Sequence, residues 1–220
     1  MERAFKTADL EKSPQARGVL MRETLIETAL DVIHDLGYRS ATTIEFSRRA
    51  GVSRGALLHH FPTRSDIIIA AMEKLLREAT LEIRQVADKV ACEEISLEEF
   101  VDFLWMMFSG RFFYISLEFI NEARTDPDLR SRMIPVVQDF HTALDGIWSE
   151  FEKRDNDRPR STDVALKLTV CLVRGMGVQT VLKDDPEYFQ SLLTAWKTIL
   201  PQLVRGQTPD LERRFQDSDD

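Results

Sequence analysis

Residues 42–66 read TTIEFSRRAGVSRGALLHHFPTRSD, and this stretch carries the local signals that best predict the fold. Thr42 followed three residues later by Glu45 is a capping box, in which the hydroxyl accepts a backbone N–H and the carboxylate reaches back to the cap. Gly51 can adopt the positive φ of a tight turn, and Ser53 is a cap for a second short helix. Two short helices joined by about three residues predict a helix-turn-helix, with the N-terminal side chains of the later helix pointing outwards.

Helical signals continue on both sides of this stretch. An apolar face with a period near 3.6 predicts a helix over about 17–36, which Gly37 ends. Downstream, Thr63 and Asp66 frame the start of a long helix that is predicted to reach about Val90. Caps, glycines and prolines predict five more helices, over about 97–108, 111–125, 127–154, 162–183 and 186–204. The expected fold class is therefore all-α, with about nine helices.

The charge of the chain is unevenly distributed. Its 220 residues carry a formal net charge of −8, which would argue against a nucleic-acid partner if it were spread evenly. Residues 1–64, however, contain 10 Lys and Arg against 8 Asp and Glu. Within 37–64 only Glu45 opposes five arginines, namely Arg39, Arg48, Arg49, Arg54 and Arg64. A basic segment on an acidic body can meet phosphates on one face and repel them elsewhere, so the charge map points to this stretch and is compatible with a partner such as double-stranded DNA.

The residues present disfavour several other classes of protein. No apolar run approaches 18 residues and the N-terminus lacks the apolar core of a signal peptide, so we expect a cytoplasmic protein without a membrane partner. His59 and His60 are adjacent and project about 100° apart on a helix, so they cannot hold one ion together. Cys92 and Cys171 show no ligand spacing, and no nucleophile elbow or phosphate-binding glycine loop is present. We expect no metal, no cofactor and no enzymatic activity.

Nucleic-acid contact explains more of the opening stretch than catalysis does. Thr43, Ser53 and the backbone N–H groups at helix starts suit phosphate oxygens, as do Arg54 and Arg64. The two histidines end the later helix, where they could touch a groove or a DNA backbone. We expect at least one of them to face DNA; the alternative is that one packs against a neighbouring helix while the other is solvated.

Residues 17–66 resemble the DNA-binding domain of the tetracycline-repressor (TetR) family of transcriptional regulators. The resemblance is carried by Gly37-Tyr38, Thr42-Thr43-Ile44, Ala50-Gly51-Val52-Ser53-Arg54-Gly55-Ala56-Leu57, His59-His60-Phe61 and Arg64-Ser65-Asp66. The rest of the chain is similar to the family only in length and helical pattern. The resemblance implies a dimeric regulator, usually a repressor, that a small molecule releases from its operator.

The same resemblance assigns roles to individual residues. Thr43, Ser53 and Arg54 would contact DNA, Gly55 would allow close backbone approach, and His59 and His60 lie at the same surface. Arg64 would hold a phosphate. Two departures stand out: Leu58 occupies a position that is commonly tyrosine, so its contact would be apolar, for example with a thymine methyl. Phe46-Ser47 replaces the more usual isoleucine-alanine and is expected to alter the packing of its helix.

Eight aromatic residues and two methionines crowd residues 100–119. They are either the core of a helical bundle or the wall of an adaptable pocket for an apolar ligand, and the resemblance favours the pocket. Arg111, Glu118 and Asn121 could orient the polar end of such a ligand. The predicted ligand-binding residues are Trp105, Phe108, Arg111, Phe112, Glu118, Phe119, Trp148, Met176 and Gln179.

The helix over 162–183 is apolar nearly all round, so it must be covered on several sides. Gly175 and Gly177 would let a second helix come close, and the helix over 186–204 offers a matching apolar stripe. We interpret the two helices as the four-helix interface of a homodimer, and the alternative is a monomer that buries them internally.

These inferences give a division of the chain into an N-terminal arm (1–16), a helix-turn-helix DNA-binding domain (17–64), a ligand-binding and dimerisation domain (65–206) and a polar tail (207–220). The function expected is that of a repressor binding a palindromic operator. Two alternatives stay open: a DNA-binding regulator without a small-molecule effector, and a helical enzyme or adaptor whose basic head binds an acidic protein.

Overall fold

The computed structural model describes residues 14–153 and 161–204, and within these ranges all regular structure is helical, as the sequence predicts. Most of the predicted arm and all of the predicted tail lie outside the described residues. No one of the described helices is long and apolar enough to cross a membrane, although one bent pair, Leu97–Phe108 with Arg111–Ala123, passes on length and composition. The described helices are α1 (Pro14–Ser40), α2 (Thr43–Ala50), α3 (Arg54–His60), α4 (Arg64–Ala91), α5 (Leu97–Phe108), α6 (Arg111–Ala123), α7 (Pro127–Lys153), α8 (Ser161–Thr180) and α9 (Pro186–Val204).

The predicted end of the first helix is a kink rather than a terminus. Gly37 has a φ of 76°, in the left-handed region that glycine adopts without a steric penalty, and helical turns continue beyond it to Ser40. The apolar face before the kink is fully buried, in residues Leu25, Ile26, Ala29, Leu30 and Ile33.

The capping box predicted at the start of α2 is only half formed. The Thr42 hydroxyl accepts a hydrogen bond from the Glu45 backbone N–H at 3.2 Å, as predicted. The reciprocal bond was a wrong prediction. The Thr42 N–H donates instead to the Ser40 carbonyl at 2.9 Å, and the Glu45 carboxylate takes the Arg48 guanidinium at 2.6 and 2.8 Å. A charged donor one turn away makes a stronger bond to a carboxylate than the neutral cap does.

The turn between α2 and α3 has the geometry that the sequence predicts. Gly51 ends α2 with a φ of 67°, and the Ser53 side chain begins α3 by accepting the Ala56 backbone N–H at 3.1 Å. Leu57 and Phe46 are fully buried, so each short helix is anchored by one large apolar side chain. Phe46, which is larger than the isoleucine more usual at this position, is thus accommodated in the core.

The later helix boundaries agree with the predicted caps. The Ser96–Glu99 box is complete, because the Ser96 N–H donates to the Glu99 carboxylate at 2.7 Å and the Glu99 N–H donates to the Ser96 hydroxyl at 3.1 Å. Hydrogen bonding from the Ser96 backbone lowers the pKa of Glu99. Asp126 and Asp185 cap α7 and α9, each by accepting a backbone N–H of the first turn. The helix predicted to reach residue 183 ends at Thr180, where the chain enters a turn.

The chain divides into two compact units that interleave along the sequence. The first unit contains the described residues up to Glu78 together with Tyr114–Gln138. The second contains Ala79–Phe113 and the described residues from Asp139 onwards. A division at residues 64 and 65 therefore cuts through the first unit, which includes the start of α4 and a segment from the middle of the chain.

In the second unit α5, α8 and α9 pack against one another. Gly177 on α8 is buried at the contact with α5, since a Cβ built there would lie 2.1 Å from the Phe108 carbonyl oxygen and 2.8 Å from the Phe113 ring. The close approach at this glycine is therefore made by the chain's own helices. Gly175, two residues earlier, has no other atom within 4 Å of such a Cβ.

Candidate DNA-binding interface

One face of α3 is free of contacts that would hold it to the rest of its unit. Ser53, Arg54, Gly55 and His59 are exposed, whereas Leu57 on the opposite side is fully buried. Among the described residues, a Cβ added at Gly55 would meet only the Ser53 hydroxyl, at 3.9 Å, so none of them requires glycine there. The predicted contact residues of this helix thus share one accessible surface.

The remaining predicted residues near α3 are less accessible. Thr43 is half-buried in the first turn of α2, and Leu58 and His60 are half-buried on α3. The His59 and His60 rings lie edge to face with centroids 5.5 Å apart. Within the described residues no group of three or more His, Cys, Asp or Glu side chains could hold a metal ion.

Most arginines of the basic segment are already paired inside the first unit. Arg48 binds Glu45, and Arg49 binds Asp35 at 2.5 Å. Hydrogen bonding from Arg49, and then from His34, lowers the pKa of Asp35; hydrogen bonding from Arg48 likewise lowers the pKa of Glu45. Among the described residues Arg54 is the arginine of this segment without an ion pair or internal hydrogen bond from its side chain. The free positive charge of the surface is therefore concentrated on α3.

Arg64 has a structural role that the sequence did not predict. Its Nε donates to the Ala41 carbonyl at 2.6 Å and its Nη2 donates to the Tyr38 carbonyl at 2.5 Å. The guanidinium also lies over the Tyr38 ring, 4.4 Å from the ring centroid. Two of its donors are thus used to hold the end of α1 and the connection to α2, so the predicted phosphate contact cannot be the whole function of this residue.

Residues of α6 and α7 also contact this region of the first unit. The Glu118 carboxylate accepts the Tyr38 backbone N–H at 2.7 Å, just after the kink at Gly37. The Phe119 ring packs edge-on against the Tyr38 ring, with centroids 6.1 Å apart. Glu118 and Phe119 thus contact the backbone and the side chain of Tyr38, and their place in a ligand pocket stays a prediction.

Two ion pairs reinforce this arrangement. Arg39 Nε lies 3.0 Å from the Glu122 carboxylate, and Arg132 Nη2 lies 2.8 Å from Asp66 at the start of α4. Hydrogen bonding from the Thr63 side chain, and then from Arg132, lowers the pKa of Asp66. Sequence reasoning missed these partners, because residues 66 to 83 positions apart in the chain share no local pattern.

Apart from Glu118 and Phe119, the predicted ligand-binding residues lie in the second unit. The Trp105 ring packs on Phe189 with centroids 5.3 Å apart, and the Phe108 ring packs on Phe112 at 5.7 Å. Met176 is buried, Arg111 is exposed, and the exposed Gln179 accepts the Tyr188 hydroxyl at 3.3 Å. The side chain of Trp148 lies outside the described residues. Whether these residues form a pocket stays a prediction.

Comparisons with known proteins decide the family. A family model described as bacterial regulatory proteins, tetR family, matches residues 25–71, which include α2 and α3. The chain is 31% identical over 167 residues to the HTH-type transcriptional regulator CymR of Pseudomonas putida, a match that covers 76% of this chain and 82% of that protein. The chain belongs to the TetR family.

Solved structures of other family members and regulators share the fold. A protein from Mesorhizobium loti assigned to the TetR-family transcriptional regulators matches with a TM-score of 0.67 at 12% identity, over 85% of this chain and 96% of that one. A transcriptional regulator from Saccharomonospora viridis in complex with choline matches with a TM-score of 0.60 at 17% identity, over 82% and 95% of the two chains. The TetR-family chain described here is thus a DNA-binding transcriptional regulator and not an enzyme.

Proposed function

We propose that this TetR-family chain is a repressor that binds a palindromic operator as a homodimer and leaves it when a small, largely apolar ligand binds. The observation that carries the proposal is the exposed face of α3, on which Arg54, Gly55 and His59 stand opposite the buried Leu57. Such a helix can enter the major groove with its N-terminal residues at base edges. A repressor of this kind acts in the cytoplasm, where the operator is.

The contacts with DNA divide by chemistry. Thr43, Ser53 and the backbone N–H groups at the starts of α2 and α3 suit phosphates, which position the head without reading sequence. Arg54 can donate to a guanine, and Leu58 offers an apolar contact in place of a tyrosine hydroxyl. Because the neighbouring arginines are paired within the unit, sequence preference should depend strongly on Arg54.

Arg54→Ala is expected to weaken operator binding by about tenfold or more, since one well-placed arginine–base contact contributes about 1–3 kcal/mol of discrimination. The measurement is selection of bound duplexes from a random library with the wild-type chain, followed by titration of the selected duplex with both proteins. Arg77→Ala is the control, because it removes an equal charge from an exposed position on α4. Failure to enrich a two-fold symmetric motif, or enrichment that is indifferent to Arg54, would contradict the DNA-binding proposal.

The homodimer is supported by an apolar stripe that the described residues leave open on α8. Val164, Leu168 and Val178 are each about half exposed. Together with Cys171 and Gly175, which are also exposed, they recur at alternating intervals of four and three residues, the spacing of a helix-packing seam. Gly175 has open space beside it, so a second helix can approach closely there. On α9, Ile199 is likewise exposed.

Leu168→Glu is expected to weaken dimerisation by at least about tenfold, because a carboxylate would be buried without a partner in both copies of the interface. Sedimentation equilibrium over a range of protein concentrations measures the effect. Leu81→Glu is the matched control, since Leu81 is 53% exposed and Leu168 is 47% exposed, on helices of the same unit. A wild-type chain that stays monomeric, or a Leu168→Glu variant that dimerises like the control, would rule out this interface.

Release by a ligand is supported by the structural neighbour solved with choline, which shows that this fold can hold a small molecule. In this chain α4, α6 and α7 each begin in one compact unit and end in the other. A ligand that shifts one end of such a helix would change the position of the DNA-binding head. A coupling free energy of about 1–3 kcal/mol would change operator affinity by roughly 5- to 150-fold.

A further inference from the structure

A groove with no assigned role lies between α6 and α7 within the first unit. It has a volume of about 380 Å³, within the range of small-molecule sites. Five apolar residues and three polar ones line it, namely Ile120, Ala123, Met133, Ile134, Val137, Arg124, Arg130 and Gln138. None of these residues belongs to the DNA-binding surface or to the ligand-binding set predicted from the sequence.

Two large apolar side chains of the lining are exposed. Ile120 is 46% exposed and Ile134 is 44% exposed, whereas Met133 between them is buried. The lining residues at the end of α6 and just after it recur at i, i+3 and i+4, and those of α7 at i, i+3, i+4, i+7 and i+8, so each set forms one continuous face toward the groove. Contiguous exposed apolar surface of this kind marks binding sites more often than chance placement.

The charges at the groove are of one sign. Arg124 and Arg130 are both exposed, and no acidic residue is among the lining side chains. Each guanidinium can donate a bidentate hydrogen bond to a carboxylate, which is the anion that matches its geometry. Gln138 adds a neutral donor and acceptor. An occupant that satisfies this lining has an apolar body and a negatively charged end.

We propose that the groove binds a small amphipathic acid, with its apolar body between Ile120 and Ile134 and its carboxylate on Arg124 and Arg130. Other residues of the same two helices contact the region around α2 and α3. Glu118 and Glu122 on α6 bond to Tyr38 and Arg39, and Arg132 on α7 bonds to Asp66. An acid that separates α6 from α7 therefore acts on the contacts that orient α2 and α3. This second step rests on the proposed repressor function, whereas the binding step does not.

The binding step is tested by calorimetric titration of the full chain with decanoate and with decanol, which differ only in the charged end. Wild type should bind decanoate at least about tenfold more tightly than decanol. In the Arg124→Gln/Arg130→Gln variant the two affinities should become equal, with the melting temperature unchanged because both side chains are exposed. Arg77→Gln, which removes an equal charge from an exposed position on α4, should leave the preference intact.

Three results would overturn the binding site. These are equal affinity of wild type for the acid and the alcohol, an unchanged preference in the double variant, or loss of the preference in Arg77→Gln. A further test uses Ile134→Glu. If wild type is a dimer and this variant is a monomer at the same concentration, the groove is an interface between copies and not a ligand site.

The regulatory step has its own readout. Saturating decanoate should weaken operator binding by wild type and have no effect on operator binding by the double variant. Decanoate that binds without changing operator affinity would remove the regulatory step alone. If no operator is found for any protein, the repressor proposal fails, and the calorimetric comparison still decides whether the groove binds the acid.

Discussion

Gly177→Ala is expected to destabilise the chain by about 2–3 kcal/mol, because the buried glycine lies where the backbone of α5 passes closest to α8. The new methyl carbon would be 2.1 Å from the Phe108 carbonyl oxygen, a backbone atom that cannot move away as a flexible side chain can. The Phe113 ring, at 2.8 Å, blocks the other direction. The helices must separate, and the contacts among α5, α8 and α9 weaken together.

Urea unfolding of both glycine variants at one protein concentration measures this effect. Gly175→Ala is the control on the same helix, since no other atom lies within 4 Å of its added Cβ. Alanine has a higher helix propensity than glycine, so this variant should be equal to wild type or more stable by up to about 1 kcal/mol in a monomer. In the proposed dimer, loss of stability at Gly175 would instead depend on protein concentration. A Gly177→Ala chain as stable as wild type would show that α5 and α8 are not packed as described.

Arg64→Ala is expected to destabilise the chain by about 2–4 kcal/mol, since two part-buried carbonyl groups lose their Arg64 donors and only one of them keeps another donor, the Ala41 backbone N–H. Those carbonyls belong to Tyr38 and Ala41, which lie between the kink of α1 and the start of α2. The stacking of the guanidinium on Tyr38 is lost as well. Arg64→Lys should recover only part of the stability, because an ammonium group cannot reproduce the planar fork that reaches both oxygens.

Thermal unfolding and operator titration separate this structural role from a phosphate contact. Arg54→Ala is the reciprocal control: its side chain is exposed, so the variant should keep wild-type stability and lose operator affinity. Arg64→Ala should lose stability first. Unchanged stability of Arg64→Ala, with reduced operator affinity only, would return this residue to the role that the sequence resemblance implies.

The pairing of arginines in the head has a consequence for how the protein would find DNA. Arg39, Arg48 and Arg49 form ion pairs with acidic residues of the same unit, so the five arginines of the basic segment do not act as five free charges. Fewer neutralised phosphates mean a smaller dependence of affinity on salt. The slope of log affinity against log salt, measured with the selected operator, should therefore be lower than the arginine count of the sequence indicates.

The helix-turn-helix could be predicted from the sequence because its signals are local. A cap at Thr42, a turn glycine at Gly51 and a cap at Ser53 act over three or four residues, and the structure confirms each of them. Helix boundaries at Ser96, Asp126 and Asp185 were predictable for the same reason. Where the local prediction was wrong, at the Glu45 half of the first capping box, stronger partners one helical turn away competed for the carboxylate.

The roles of Glu118, Phe119 and Arg64 required the tertiary structure. From the sequence, an acidic and an aromatic residue in an aromatic helix suit a ligand pocket, and an arginine after the helix-turn-helix suits a phosphate. All three also contact Tyr38, from positions 26 to 81 residues away in the chain. Gly177 is similar, since its need for glycine comes from a carbonyl of another helix.

Local sequence signals were enough to predict the helical fold, the turn that exposes α3 and the likeness to the TetR family, because caps, turn glycines and apolar periodicity depend on interactions within a few residues. Which charges are free, which glycine has no space for a methyl group and which side chains contact Tyr38 became evident from the tertiary contacts. Those properties depend on the partners that folding brings together, and the identity of a distant partner is not written in the neighbouring residues.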